Sequence, residues 1–151
     1  MHDPCAYDYA LIRVVPHVER GECINAGVVV CCTSRGFLKA RIELDEARLL
    51  ALAPAADLAT VRASLQAFVR VCEGGAQAGP IGELPLRARF DWLVAPRSTI
   101  VQTSAAHAGR CADLEAATER LLRRMVRRPE PDRPEPDRPA TDLPATDRPA
   151  P

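Results

Sequence analysis

Ile24-Asn25-Ala26-Gly27-Val28-Val29-Val30-Cys31-Cys32-Thr33 is the most apolar stretch of the chain, and its reading decides the fold. The run from Ala26 to Cys32 is short, rich in β-branched residues and free of alternating polar positions. It therefore predicts a strand covered on both faces, and such a strand should be central. Ser34-Arg35-Gly36 reads as a short turn into Phe37-Leu38-Lys39-Ala40-Arg41-Ile42, giving a hairpin. On the N-terminal side Tyr7 to Val15 alternates. Tyr7, Tyr9, Leu11, Arg13 and Val15 share one face, and Asp8, Ala10, Ile12 and Val14 the other. Pro16 to Glu22 is the polar loop between these two strands.

Helical signals follow. Asp45 can cap a short helix through Ala53, stopped by Pro54, and Asp57 a longer one through Glu73, closed by Gly74 and Gly75. In the longer helix Leu58, Val61, Leu65, Phe68, Val69 and Cys72 form one stripe that should lie on the sheet. After a Gly- and Pro-containing loop, residues 86–95 fit a short helix and a strand almost equally well. Thr99 to Thr103 reads as a fourth strand, and Asp113 caps a last helix with Leu114, Ala117, Leu121, Leu122 and Met125 inward. This order predicts an α+β domain, a mostly antiparallel sheet of about four strands with helices packed on one face. Gly74-Gly75 closes a helix rather than opening one, so no glycine pattern supports a nucleotide fold.

The 151 residues carry 20 basic and 20 acidic side chains and 14 prolines, distributed unevenly. Eight prolines fall in residues 129–151, where Asp-Xaa-Pro recurs every five residues. That segment has one large aliphatic, Leu143, and reads as a disordered, polyproline-like tail of charge −3. Residues 1–128 remain as a single mildly basic globular domain of charge +3. No window has the roughly 18 apolar residues a membrane span needs, and the N-terminus lacks an export pattern, which predicts a cytoplasmic protein. The six cysteines, at 5, 23, 31, 32, 72 and 111, lack Cys-Xaa-Xaa-Cys spacing, and no histidine stands at ligand spacing to another. They read as small buried hydrophobes, with Cys31 and Cys32 pointing to opposite faces; no metal and no cofactor is expected.

Two stretches spend polar residues where a core would not demand them. Pro16-His17-Val18-Glu19-Arg20-Gly21-Glu22-Cys23-Ile24-Asn25-Ala26-Gly27 presses ionisable groups against the most apolar strand, and Phe90-Asp91-Trp92-Leu93-Val94-Ala95-Pro96-Arg97-Ser98-Thr99 holds the single tryptophan. The candidate pocket drawn from these, from strand one and from the last loop comprises Arg13, His17, Glu22, Asn25, Gly27, Arg97, Ser98 and His107. Glu22 and Arg97 can pair beside Asn25 and Gly27, whose missing side chain lets a backbone or ligand approach. Alternatively, the pair merely ties a loop to the last strand while Asn25 satisfies a turn. Ser98 lacks the sharp glycine-flanked turn of a nucleophile and fits a cap or strand start better. His107 reads as a loop residue.

These stretches, with Tyr7-Asp8-Tyr9-Ala10-Leu11-Ile12-Arg13 and Gly79-Pro80, resemble the DUF3037 proteins, a bacterial family of unknown function. The resemblance runs from about Tyr7 to Val126 and leaves the repeat tail outside. It implies no reaction. It does imply a partner, since such genes often neighbour kinase-like proteins related to the HipA toxin family.

The first functional expectation is thus a non-catalytic protein-binding or accessory module, with a HipA-like kinase as the implied partner. The second is a small enzyme or ligand-binding protein for a carboxylate or phosphate. It would use Arg97 on the anion and His17 or Glu22 in proton transfer, although no spacing pairs them. The arginines at 120, 123, 124, 127 and 128 suit a solvated helix end, with Glu115 and Glu119 pairing along the helix. Without an aromatic platform, they support nucleic-acid binding only weakly.

Overall fold

The computed structural model describes residues 3–130. From residue 131 onward the Pro-rich tail lies outside the described residues. The hairpin β2 (Ile24–Cys32) and β3 (Phe37–Ile42) forms as expected, joined by a 3-10 turn with Gly36 left-handed at φ 58°. β1 (Cys5–Val14) pairs antiparallel with β2, so β1 and β2 are interior in the order β3-β2-β1-β4.

The fourth position of the sheet is shared by two short strands. β4 (Val101–Thr103) pairs with Ile12 to Val14, and β5 (His107–Cys111) pairs with Cys5 to Tyr9. Ser104 carries the ladder across the break. Its N–H donates to Leu11 O and its Oγ accepts from Leu11 N–H, each at 2.9 Å. A side-chain oxygen thus replaces the missing backbone acceptor, and the buried Leu11 amide stays satisfied. The described sheet has five strands rather than four, and His107 begins a strand instead of sitting in a loop.

The α+β class and antiparallel sheet are as read from the sequence, but the helices do not all lie on one face. α1 (Glu46–Leu52), α2 (Leu58–Glu73) and α4 (Leu86–Val94) cover the face of Ala10, Ile12, Val14 and Val29. α5 (Leu114–Leu121), running into a π-helical turn over Leu122–Val126, covers the face of Tyr7, Val28 and Val30. β2 needs both covers because Asn25 is its only residue that is not buried. Cys31 and Cys32 separate into the two cores, as strand alternation requires.

Local chemistry sets the helix ends. Asp45, Asp57 and Asp113 accept from the amides of Arg48, Thr60 and Ala116 at 3.1, 3.2 and 3.1 Å, so the three caps expected from the sequence all form. α2 buries Val61, Leu65, Phe68, Val71 and Cys72, and stops at Gly74. Residues 86–94 are helical, which resolves the helix-or-strand alternative. The helix is favoured because Phe90 and Leu93 become fully buried, while Arg89 Nη1 donates to Val71 O and Cys72 O at 2.8 and 2.7 Å. Those carbonyls belong to the last turn of α2, which otherwise has no helical donors. The loop between α2 and α4 holds the single turn α3 (Gly79–Gly82).

Candidate functional site

Glu22 and Arg97 do not meet. Glu22 is exposed and paired with Arg20 on its own loop, Arg20 Nε donating to Oε1 at 2.6 Å. Pro96 follows the C-cap of α4, and the chain there turns back so that Arg97 covers the helix end. Its Nη2 donates to Trp92 O, its Nε to Ala95 O at 3.4 Å, and its guanidinium lies 4.5 Å from the Trp92 ring centre. Phe68 supplies a second ring at 5.9 Å. Desolvation lowers the Arg97 pKa from its ordinary value, and no carboxylate among the described residues pairs with it.

Asn25 and Gly27 serve the fold. A bulge between Ile12 and Arg13 makes Gly27 the partner of Ile12 and Asn25 the partner of Arg13. A Cβ on Gly27 would sit 2.5 Å from the Arg41 carbonyl oxygen, so the space beside it is filled by strand β3 and not by a ligand. Asn25 Nδ2 donates to Met125 O at 2.9 Å, and Arg48 Nη1 to Val126 O at 3.4 Å. Both serve carbonyls at the end of the last helix.

The remaining candidates stand apart. His107 is exposed opposite Tyr9, its ring 5.5 Å from the Tyr9 ring, whereas His17 is exposed three residues beyond the end of β1. The strand from Tyr9 to Val14 alone separates them by about 16 Å at roughly 3.3 Å per residue. Ser98 is exposed with no histidine beside it in sequence or register. Arg13 is half-buried between its register partners Asn25 and Gln102, and its Nε is buried without a hydrogen-bond partner. Of the eight candidates, only Arg13, Asn25 and Gly27 are therefore neighbours in the sheet. Among the described residues no group of three or more His, Cys, Asp or Glu is placed to hold a metal ion, and no helix is long and apolar enough to cross a membrane.

The basic cluster at the end of the last helix is partly spent. Arg127 bridges Glu43 and Glu119, at 2.7 and 2.6 Å, and Arg128 Nε bonds Asp45 at 2.6 Å. Glu119 meets Arg127 at the end of its own helix, but neither Glu115 nor Glu119 pairs with Arg120, Arg123 or Arg124. Glu115 and Glu119 reach across to Lys39 and Arg41, at 3.0 and 2.7 Å, because residues two apart on β3 match residues four apart on α5. The hydrogen bonds from Arg127 and then Arg41 hold the Glu119 carboxyl at about 2. Arg127 likewise lowers Glu43, and Arg128 lowers Asp45.

A concavity along α2 was not legible as a motif. Ser64, Ala67, Phe68 and Val71 on α2 face Trp92, Arg97 and Thr99 to Val101 across a cavity of about 260 Å³. A second, of about 290 Å³, continues between Val61, the Ala53–Ala56 link and His17. Ile100 borders both, so they form one groove along α2. Its depth comes from small side chains, Ala53, Ala56, Ser64 and Ala67, and one end carries the exposed Trp92 ring. The available signal was the small-residue positions on α2 together with the Trp-Xaa4-Arg spacing at its edge.

Residues 9–126 match the family model described as a protein of unknown function, DUF3037. No curated protein and no solved structure matches the chain. With most of its length, from the middle of β1 to the end of the last helix, inside that match, the chain belongs to the DUF3037 family.

Proposed function

We propose that this chain is a non-catalytic accessory module of the bacterial cytoplasm that binds another protein in the α2 groove. A kinase-like protein of the HipA type is the candidate partner. The observation that carries the proposal is Arg97, a partly desolvated cation without a carboxylate, stacked on an exposed Trp92 beside an apolar groove. Such a site suits a segment of the partner that presents apolar side chains next to a carboxylate. The carboxylate would supply the charge that Arg97 lacks, and the aromatic and Arg pair is of the kind that dominates interfaces. The scatter of His17, Glu22, Ser98 and His107 offers no acid, base or nucleophile acting together. Co-expression with a kinase-like protein of the HipA type tests this. The wild type and Glu22→Ala should co-purify with it, and Trp92→Ala and Arg97→Ala should not. Loss of nothing, or no complex with the wild type, overturns the reading.

Arg13 favours a second reading, a site for a small carboxylate or phosphate. Its unpartnered Nε and the absence of any ion pair to it among the described residues leave an uncompensated guanidinium in the sheet. A thermal-shift series with anionic metabolites discriminates, since a ligand at 100 times its Kd adds about 2.7 kcal/mol. The second reading requires that shift to vanish in Arg13→Gln.

A further inference from the structure

Three of the six cysteines converge, although nothing in their sequence spacing announces it. Cys5 on β1 and Cys111 on β5 are directly opposite in register, and Cys32 ends β2 on the same face. All three belong to the core under α5, and all are free thiols. Leu11 directs both its N–H and its C=O at Ser104, so the alternate residues Tyr9, Tyr7 and Cys5 direct theirs at β5. Cys5 and Cys111 are therefore a hydrogen-bonded antiparallel pair, with Cα atoms about 5.5 Å apart, a separation at which disulfides form.

Around the trio the polar groups are ordered. Arg35 donates to Asp3 O and, at 2.6 Å, to Ala112 O, which holds a guanidinium beside the chain segments bearing Cys5 and Cys111. Cys32 Sγ lies 3.3 Å from Ser34 Oγ. Burial raises the Cys5 pKa, and its hydrogen bond to Cys32 raises it further. Burial also opposes ionisation of Cys32, but Ser34, Cys5 and Arg35 together outweigh it and lower the Cys32 pKa. Cys111 is the member of the trio that is not fully buried, and so the one that meets a solute first.

We infer that this trio is an oxidative modification site, in which a hydroperoxide oxidises Cys111 and Cys5 resolves it to a Cys5–Cys111 disulfide. The Cys111 sulfur gives up its proton and attacks one peroxide oxygen, the O–O bond breaks, and the departing oxygen takes up a proton to leave as an alcohol or water, with a sulfenic acid left on Cys111. Cys5 attacks the Cys111 sulfur, and the Cys5 proton passes to the oxygen of the sulfenic acid. The S–O bond then breaks and the oxygen leaves as water. Two thiols and one hydroperoxide become one disulfide, one water and one alcohol, or two waters when the oxidant is hydrogen peroxide. The product staples the edge strand β5, and with it the start of α5, to the first strand. This site is independent of the groove and of the partner proposed for it.

The full-length reduced chain is treated with one equivalent of hydrogen peroxide, alkylated, and digested for mass spectrometry without reductant. The expected product is an intrachain Cys5–Cys111 link, with free thiols falling from six to four. Cys5→Ser should stop at a Cys111 sulfenic acid that dimedone traps. Because the wild-type map decides the matter, a variant that fails to fold does not rescue the inference. Oxidation confined to the exposed Cys23, or a link from Cys5 to any other cysteine, overturns it.

Discussion

The side-chain amide of Asn25 donates to the backbone carbonyl of Met125, 2.9 Å away and 100 residues later in the chain. One residue near the start of β2 thereby fixes the end of the last helix over the second face of the sheet. Asn25→Ala removes the donor and leaves a carbonyl at a helix terminus unpaired. We expect a loss of about 1 kcal/mol in urea unfolding, with partner binding unchanged. A loss of binding without a loss of stability would return Asn25 to the site.

Gly27→Ala should be far more damaging. The added Cβ meets the Arg41 carbonyl oxygen at 2.5 Å, and that oxygen belongs to a strand held on its other side by the Arg41 to Glu119 ion pair. The strands must separate, at a cost of about 1–3 kcal/mol, measurable as a lowered urea midpoint.

Acid should loosen the strap between the last helix and the β3–α1 connection. The folded pKa of Glu119 is lowered from 4.5 to about 2, chiefly by Arg127. Its contribution is fully present above pH 4.5 and lost as pH falls towards 2. Glu43 and Asp45 shift in the same direction. Stability against pH should therefore decline through this window, less steeply in Arg127→Gln and less steeply in high salt, since these groups face solvent. An unchanged slope in Arg127→Gln contradicts the assignment.

Burial raises the Cys31 thiol to about 11 and the Cys72 thiol to about 12. At pH 8 neither should react with a thiol reagent until the chain unfolds, whereas the exposed Cys23 should react at once. Alkylation kinetics followed by peptide mapping measures this.

Legibility in the sequence followed the range of the interaction. Caps at Asp45, Asp57 and Asp113 and the strand Phe37–Ile42 were readable because a few neighbouring residues decide them. β5 was not, since His107-Ala108-Gly109-Arg110-Cys111 has no alternating pattern. It is a strand because β1 offers it an edge, and because the Tyr7 ring fills the place of the missing Gly109 side chain, a Cβ there falling 2.6 Å from that ring. The apolar run of β2 already required cover on both faces, and that requirement, followed through, places α5 opposite the other helices. Arg97 found its partners five residues away at Trp92, not across the domain at Glu22, because the Pro96 turn brings it onto the helix end.

The Trp92 and Arg97 end of the α2 groove is the proposed seat of another protein. Isothermal titration of the proposed partner, a purified HipA-like kinase, into this chain decides it. Binding should be saturable with the wild type, unchanged in Glu22→Ala and weakened roughly tenfold or more in Arg97→Ala, equivalent to about 1.4 kcal/mol. No heat with the wild type, or the same Kd for wild type and Arg97→Ala, contradicts it.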